Sequence, residues 1–131
     1  MMTNLLFPML AHVLWLAILY SLLTLYRAPA VWGVAVTERV RQHCKRIEPR
    51  ISANLSNQFE WPMLFYVACL FGFILKTDDF LFGVLAWTFV VGRLLHSWVQ
   101  IGMNNIRLRG LVFTINFLAV LAMWLRLAWI A

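Results

Sequence analysis

Four apolar runs, each long enough to cross a bilayer and joined by short connections, constrain this chain more than any other feature. They occupy roughly residues 5–26, 57–75, 80–103 and 111–131 of the 131. About 20 apolar residues in a helix span the hydrocarbon core. Lipid offers no partner to a backbone amide, so such runs must satisfy their own hydrogen bonds as helices. With 63% hydrophobic and 12% charged residues, the chain lacks the polar shell of a soluble fold. The expectation is an all-α integral membrane protein, a four-helix transmembrane bundle forming one domain over residues 1–131.

Ala28-Pro29-Ala30 has the small-x-small look of a signal-peptide cleavage site. No Lys or Arg precedes the first run, however, and Arg27 stands where a cleavage region is neutral, so the run is expected to stay as a span. Loop charge then sets orientation. The first connection carries Arg27, Arg39, Arg41, Lys45, Arg46 and Arg50 against Glu38 and Glu48, net +4, and Arg107 and Arg109 bring that face to +6. The second connection has Lys76 against Asp78 and Asp79, net −1. The positive-inside rule puts the basic face in the cytoplasm, with both termini outside. Bases beside helix ends meet anionic headgroups, so the basic balance calls for no nucleic acid.

Tyr26, Trp32, Trp61 and Trp129 fall near expected span ends, where amphipathic rings favour the interface. Cys44 lies in the basic loop and Cys69 within the second span, so two free thiols are expected. No His or Cys pair has ligand spacing within one element, and no metal is expected. In the long first connection, Thr37 before Glu38 reads as a helix start, and Pro49 reads as a break.

The third span carries a polar stripe. Arg93, His96, Gln100, Asn104 and Arg107 are separated by 3, 4, 4 and 3 residues, which puts all five on one face of a continuous helix. An arginine facing lipid is costly, so this face is expected toward the bundle interior, another subunit or a water-filled cavity. Asn57 and Glu60 open the second span at the same end of the bundle. Together these side chains describe a polar pocket, with membrane lipids around it. Two other readings of Asn57 and Glu60 stay open: a capping box, or Glu60 as the buried counter-ion of Arg93. His12 reads as an interhelical polar contact and Arg126 as snorkelling to the outer interface. Clustered arginines suit carboxylate or phosphate, and a single acid suits an ammonium group.

The segment ANLSNQFEWPMLFY resembles the segment bearing Asn, Glu three residues later and then Pro in the MAPEG family, the membrane-associated proteins of eicosanoid and glutathione metabolism, and is most similar to its bacterial branch, which implies a bacterial inner membrane. GRLLHSWVQIGMNNIRLRG resembles the family's third-helix pattern. The resemblance implies a homotrimer with glutathione as co-substrate, bound between subunits near the cytosolic face. It implies Asn57, Glu60, Arg93, His96, Gln100 and Asn104 as binding residues, with Arg107 or Arg109 as the catalytic guanidinium. Two departures from the family pattern stand out. Ala53 occupies the position four before Asn57 where family enzymes commonly carry Arg, although Arg50 lies one turn back, and Gln100 replaces a Tyr.

The function implied is a glutathione-dependent transferase or peroxidase acting on a lipophilic small molecule. A thiol of pKa about 8.5 is only slightly ionised at neutral pH, and a guanidinium beside it favours the thiolate. The alternative is a non-catalytic lipid- or ligand-binding scaffold of the same fold. A small four-span exporter is a third reading, disfavoured because the Arg-rich stripe would repel cations.

Overall fold

The computed structural model describes residues 5–77 and 79–131, so Asp78, one of the acids counted in the second connection, lies outside the described residues. Among the described residues five helices follow in order: α1 (Leu6–Val31), α2 (Glu38–Asn57), α3 (Pro62–Ile74), α4 (Phe80–Gly102) and α5 (Ile106–Ile130). The protein is an all-helical integral membrane protein, with α1, α4 and α5 each long and apolar enough to cross a bilayer. Exposed Leu6, Leu10, Val13, Leu14 and Ile18 recur along α1 at helical spacing, a face suited to lipid.

The second expected span is jointed. Residues 57–75 do not form one helix: α2 ends at Asn57, residues 58–61 turn, and α3 begins with Pro62 in its first turn. Proline is accepted there because a first-turn N–H has no intrahelical partner to lose. The 13 residues of α3 cover about 20 Å, short of the ~30 Å core. The rest of this leg is the end of α2, whose Ile51 and Leu55 pack against Leu19 and Leu23 of α1.

Pro49 was expected to break the helix of the first connection, yet α2 runs through it. A proline inside a helix leaves the carbonyl four residues back unpaired, here that of Lys45. Contacts on both sides of Pro49 hold the segment helical. Ile47, Ile51 and Leu55 bury against α1, and Glu48 is paired to Arg27 of α1 at 2.6 Å. The helix starts as expected, with the Thr37 hydroxyl accepting from the Val40 N–H at 3.4 Å.

The turns at both ends of α4 set the register of the bundle. After α3, the N–H of Thr77 donates to Gly72 O and that of Lys76 to Phe73 O, a Schellman pair. It puts Lys76 at φ 51°. Asp79 then caps α4 by accepting from the Leu81 N–H at 3.1 Å. Asp79 also binds Arg126 of α5 at 2.6 Å, so Arg126 is paired at the α3–α4 end of the bundle. At the opposite end, α4 stops at Gly102 and Asn105 caps α5 by accepting from the Leu108 N–H.

This last turn corrects the expected five-residue stripe. Arg93, His96 and Gln100 share α4, but Asn104 lies in the connection and Arg107 belongs to the first turn of α5. The main core packs Ala86, Phe89 and Val90 of α4 against Ala119, Val120 and Met123 of α5, with Phe65, Ala68 and Cys69 of α3 closing it. Gly92 lets α4 and α5 approach closely, because a Cβ there would run into Asn116 Oδ1.

Candidate functional site

A buried polar network lies where α1, α2 and α4 meet. Its hub is Gln58, one residue past α2 and 1% exposed. The side-chain carbonyl of Gln58 accepts from Arg93 Nε at 3.0 Å and from His12 Nε2 at 3.0 Å. Its amide donates to Asn54 Oδ1 and to Ser97 Oγ, both at 3.3 Å. His12 therefore carries its proton on Nε2, leaving Nδ1 to accept from the Tyr66 hydroxyl at 2.6 Å.

The remaining donors and acceptors close without conflict. Ser97 donates to Asn54 Oδ1 at 2.8 Å and accepts from Trp15 Nε1 at 3.1 Å. Asn54 Nδ2 donates to Gln100 Oε1 at 2.8 Å, and Asn57 Nδ2 reaches the same oxygen at 3.4 Å. Buried polar groups are tolerated when partnered in this way. His12 has the interhelical role expected of it.

Arg93, 1% exposed, is held by neutral dipoles. Besides Gln58 it donates from Nη2 to the Asn57 carbonyl at 3.3 Å. Among the described residues it makes no ion pair, and Glu60 is exposed. Glu60 is thus not a paired counter-ion in contact with Arg93. The capping-box reading also falls, because Asn57 ends α2 and α3 is capped at Trp61 without a side-chain hydrogen bond.

Beside the network a cleft of about 230 Å³ opens on the basic face, between the second half of α2 and the α4–α5 turn. Arg50, Ala53, Gln100, Asn104, Asn105 and Arg109 line it. Two guanidiniums and several amides suit an anionic ligand with peptide groups. Arg50 also reaches the Ile101 carbonyl at 3.5 Å.

Of the residues singled out in the sequence, Gln100, Asn104 and Arg109 line this cleft, while Asn57 and Arg93 stand behind it through Gln100 and Gln58. His96 is buried, its ring 6.2 Å from that of Phe113 of α5, and its Nδ1 has no partner among the described residues. Glu60 and Arg107 are exposed and do not line the cleft. Asn54, Gln58, Ser97 and Asn105 were missed, and Arg50 was noted only as lying one turn before Ala53. One signal could have found two of them: the Arg-to-Asn interval of four, absent at Ala53 and Asn57, is present at Arg50 and Asn54.

A second, larger groove of about 930 Å³ runs along α4 and α5 from the Asp79 end inward. Its walls are mostly apolar, including Val84, Trp87, Val91 and Leu95 of α4 and Val112 and Ile115 of α5. Its inner end approaches the cleft: Leu95 is one helical turn from Val99, and Val112 one turn from Arg109, with Val99 and Arg109 both lining the cleft. Among the described residues no group of three or more His, Cys, Asp or Glu could hold a metal ion.

In comparisons with known proteins, the MAPEG family model matches residues 5–129, nearly the whole chain. No curated protein and no solved structure matches.

Proposed function

From the premise that the chain belongs to the MAPEG family, we propose that it is a glutathione-dependent transferase or peroxidase acting on lipophilic electrophiles. The observation that carries this reading is the position of the basic cleft one helical turn from the inner end of the apolar groove. Glutathione, a small peptide with two carboxylates, suits Arg50 and Arg109 with Gln100, Asn104 and Asn105 supplying peptide hydrogen bonds. The lipophilic partner suits the groove.

The chemistry asked of the protein is modest. The Arg109 guanidinium favours the thiolate over the thiol, and the thiol proton passes to water. The sulfur lone pair then forms the new carbon–sulfur bond as the leaving group departs with its bonding electrons. Holding both reactants together supplies much of the acceleration. Arg93 and Asn57 act behind the cleft by fixing Gln58 and Gln100. In the proposed homotrimer, Glu60 serves the glutathione amino group of a neighbouring subunit's cleft, with both termini outside the cytoplasm.

One observation favours the second reading, a non-catalytic lipid- or ligand-binding protein. Gln100, standing where family enzymes carry Tyr, has its carbonyl engaged by Asn54 and Asn57 and offers no acidic proton to the sulfur. Isothermal titration of glutathione into the purified protein, followed by turnover with an aryl halide, separates the readings. Heat with turnover supports the transferase, heat without turnover supports the scaffold, and no heat at all removes glutathione from both.

A further inference from the structure

The first half of α2 runs back beside the last turns of α1, and between them lies a cleft of about 500 Å³ that shares no residue with the site above. Tyr26, Arg27 and Val31 of α1 face Arg41, Lys45 and Glu48 of α2 across it. Three cations therefore meet one acid. Arg27 is committed to Glu48 at 2.6 Å. Arg41 only approaches the exposed Glu38, at 4.0 Å. Lys45 makes no ion pair among the described residues. Two positive charges are left over in the cleft, so an anion is the complementary ligand.

Depth in the membrane says which anion. The cleft sits at the end of a membrane-spanning helix, where Val31 is 65% and Trp32 75% exposed. An exposed Trp at such a place belongs in the headgroup layer. A soluble anion would satisfy Arg41 and Lys45 but leave that apolar rim in contact with water. A ligand with a phosphate above and acyl chains below satisfies both.

We propose that this cleft binds the phosphate of an anionic membrane phospholipid, with Arg41 and Lys45 holding the phosphate, Val31 and Trp32 beside the headgroup, and the chains running along α1 past Tyr26. The site does not depend on the glutathione reading. Its occupant bridges α1 and α2 beside Pro49, where α2 has a carbonyl without its helical partner.

Native mass spectrometry of protein released from phosphatidylcholine bilayers doped with phosphatidylglycerol tests this. Wild-type protein should retain phosphatidylglycerol. Arg41→Gln/Lys45→Gln should lower its occupancy by about tenfold, and Arg39→Gln/Arg46→Gln, with the same change in charge but outside the cleft, should leave it unchanged. All three proteins should melt alike in pure phosphatidylcholine, which separates lost binding from lost folding. Equal loss in both double variants would reduce the effect to diffuse attraction and overturn the site. Displacement of the lipid by inorganic phosphate or glutathione would overturn it in favour of a soluble anion.

Discussion

Arg93 Nε donates to Gln58 Oε1 at 3.0 Å inside the bundle, and the same oxygen accepts from His12 Nε2 at 3.0 Å. A buried guanidinium is thus held by an amide and a backbone carbonyl, with no carboxylate paired to it among the described residues. Removing the acceptor should cost more than removing the charge. Gln58→Leu strands Arg93 and deprives Asn54, Ser97 and His12 of a partner, and is expected to destabilise by about 3–5 kcal/mol. Arg93→Met leaves Gln58 Oε1 paired with His12 and should cost about 1 kcal/mol. Denaturant titration in one detergent measures both, and equal costs would contradict the hub role of Gln58.

Arg107 and Arg109 are both exposed, and of the two Arg109 lines the basic cleft while Arg107 does not. Arg109→Leu should weaken glutathione binding by about tenfold or more, the loss of a charge-assisted hydrogen bond, and return the thiol titration toward its free value. Arg107→Leu should do neither. Calorimetry and difference absorbance at the thiolate band give the two readings, and the reverse result would exchange the roles of the two residues.

At the α4–α5 contact the Asn116 side chain occupies the space a Cβ on Gly92 would need, and neither of its polar side-chain atoms has a partner among the described residues. Gly92→Ala should destabilise by about 1–3 kcal/mol through overpacking. Adding Asn116→Ala should recover most of that loss, since it removes both the clash and an unsatisfied amide. A double-mutant cycle showing no coupling would place the cost elsewhere.

At the α3–α4 connection, the hydrogen bond from Arg126 holds the Asp79 carboxyl below the usual range, helped by the Leu81 N–H and opposed by desolvation. A depressed folded pKa gives stability that is present above the unfolded value, about 3.9, and lost as pH falls through the folded one. Melting temperature should therefore drop as pH is lowered from about 4, and Arg126→Gln should flatten that part of the profile. An unchanged profile in the variant would show that other carboxylates dominate.

Hydropathy, loop charge and turn chemistry act along the chain, and they were legible in it. The apolar runs around α1, α4 and α5, the start of α2 at Thr37 and the concentration of bases at one end all follow from neighbours a few residues apart. The fate of Pro49, the joint before Pro62 and which of Arg107 and Arg109 lines the cleft did not. Pro49 stays helical because Glu48, Ile51 and Leu55 find partners on α1. The polar stripe breaks because Asn105 starts a new helix, leaving Arg109 in the cleft and Arg107 outside it. Gln58 carries no local signature, and it becomes the hub only when His12, Asn54, Ser97 and Arg93 are brought around it from three helices. Membrane insertion is decided by sums over one segment, whereas a buried amide or guanidinium is stable only where distant segments supply its partners.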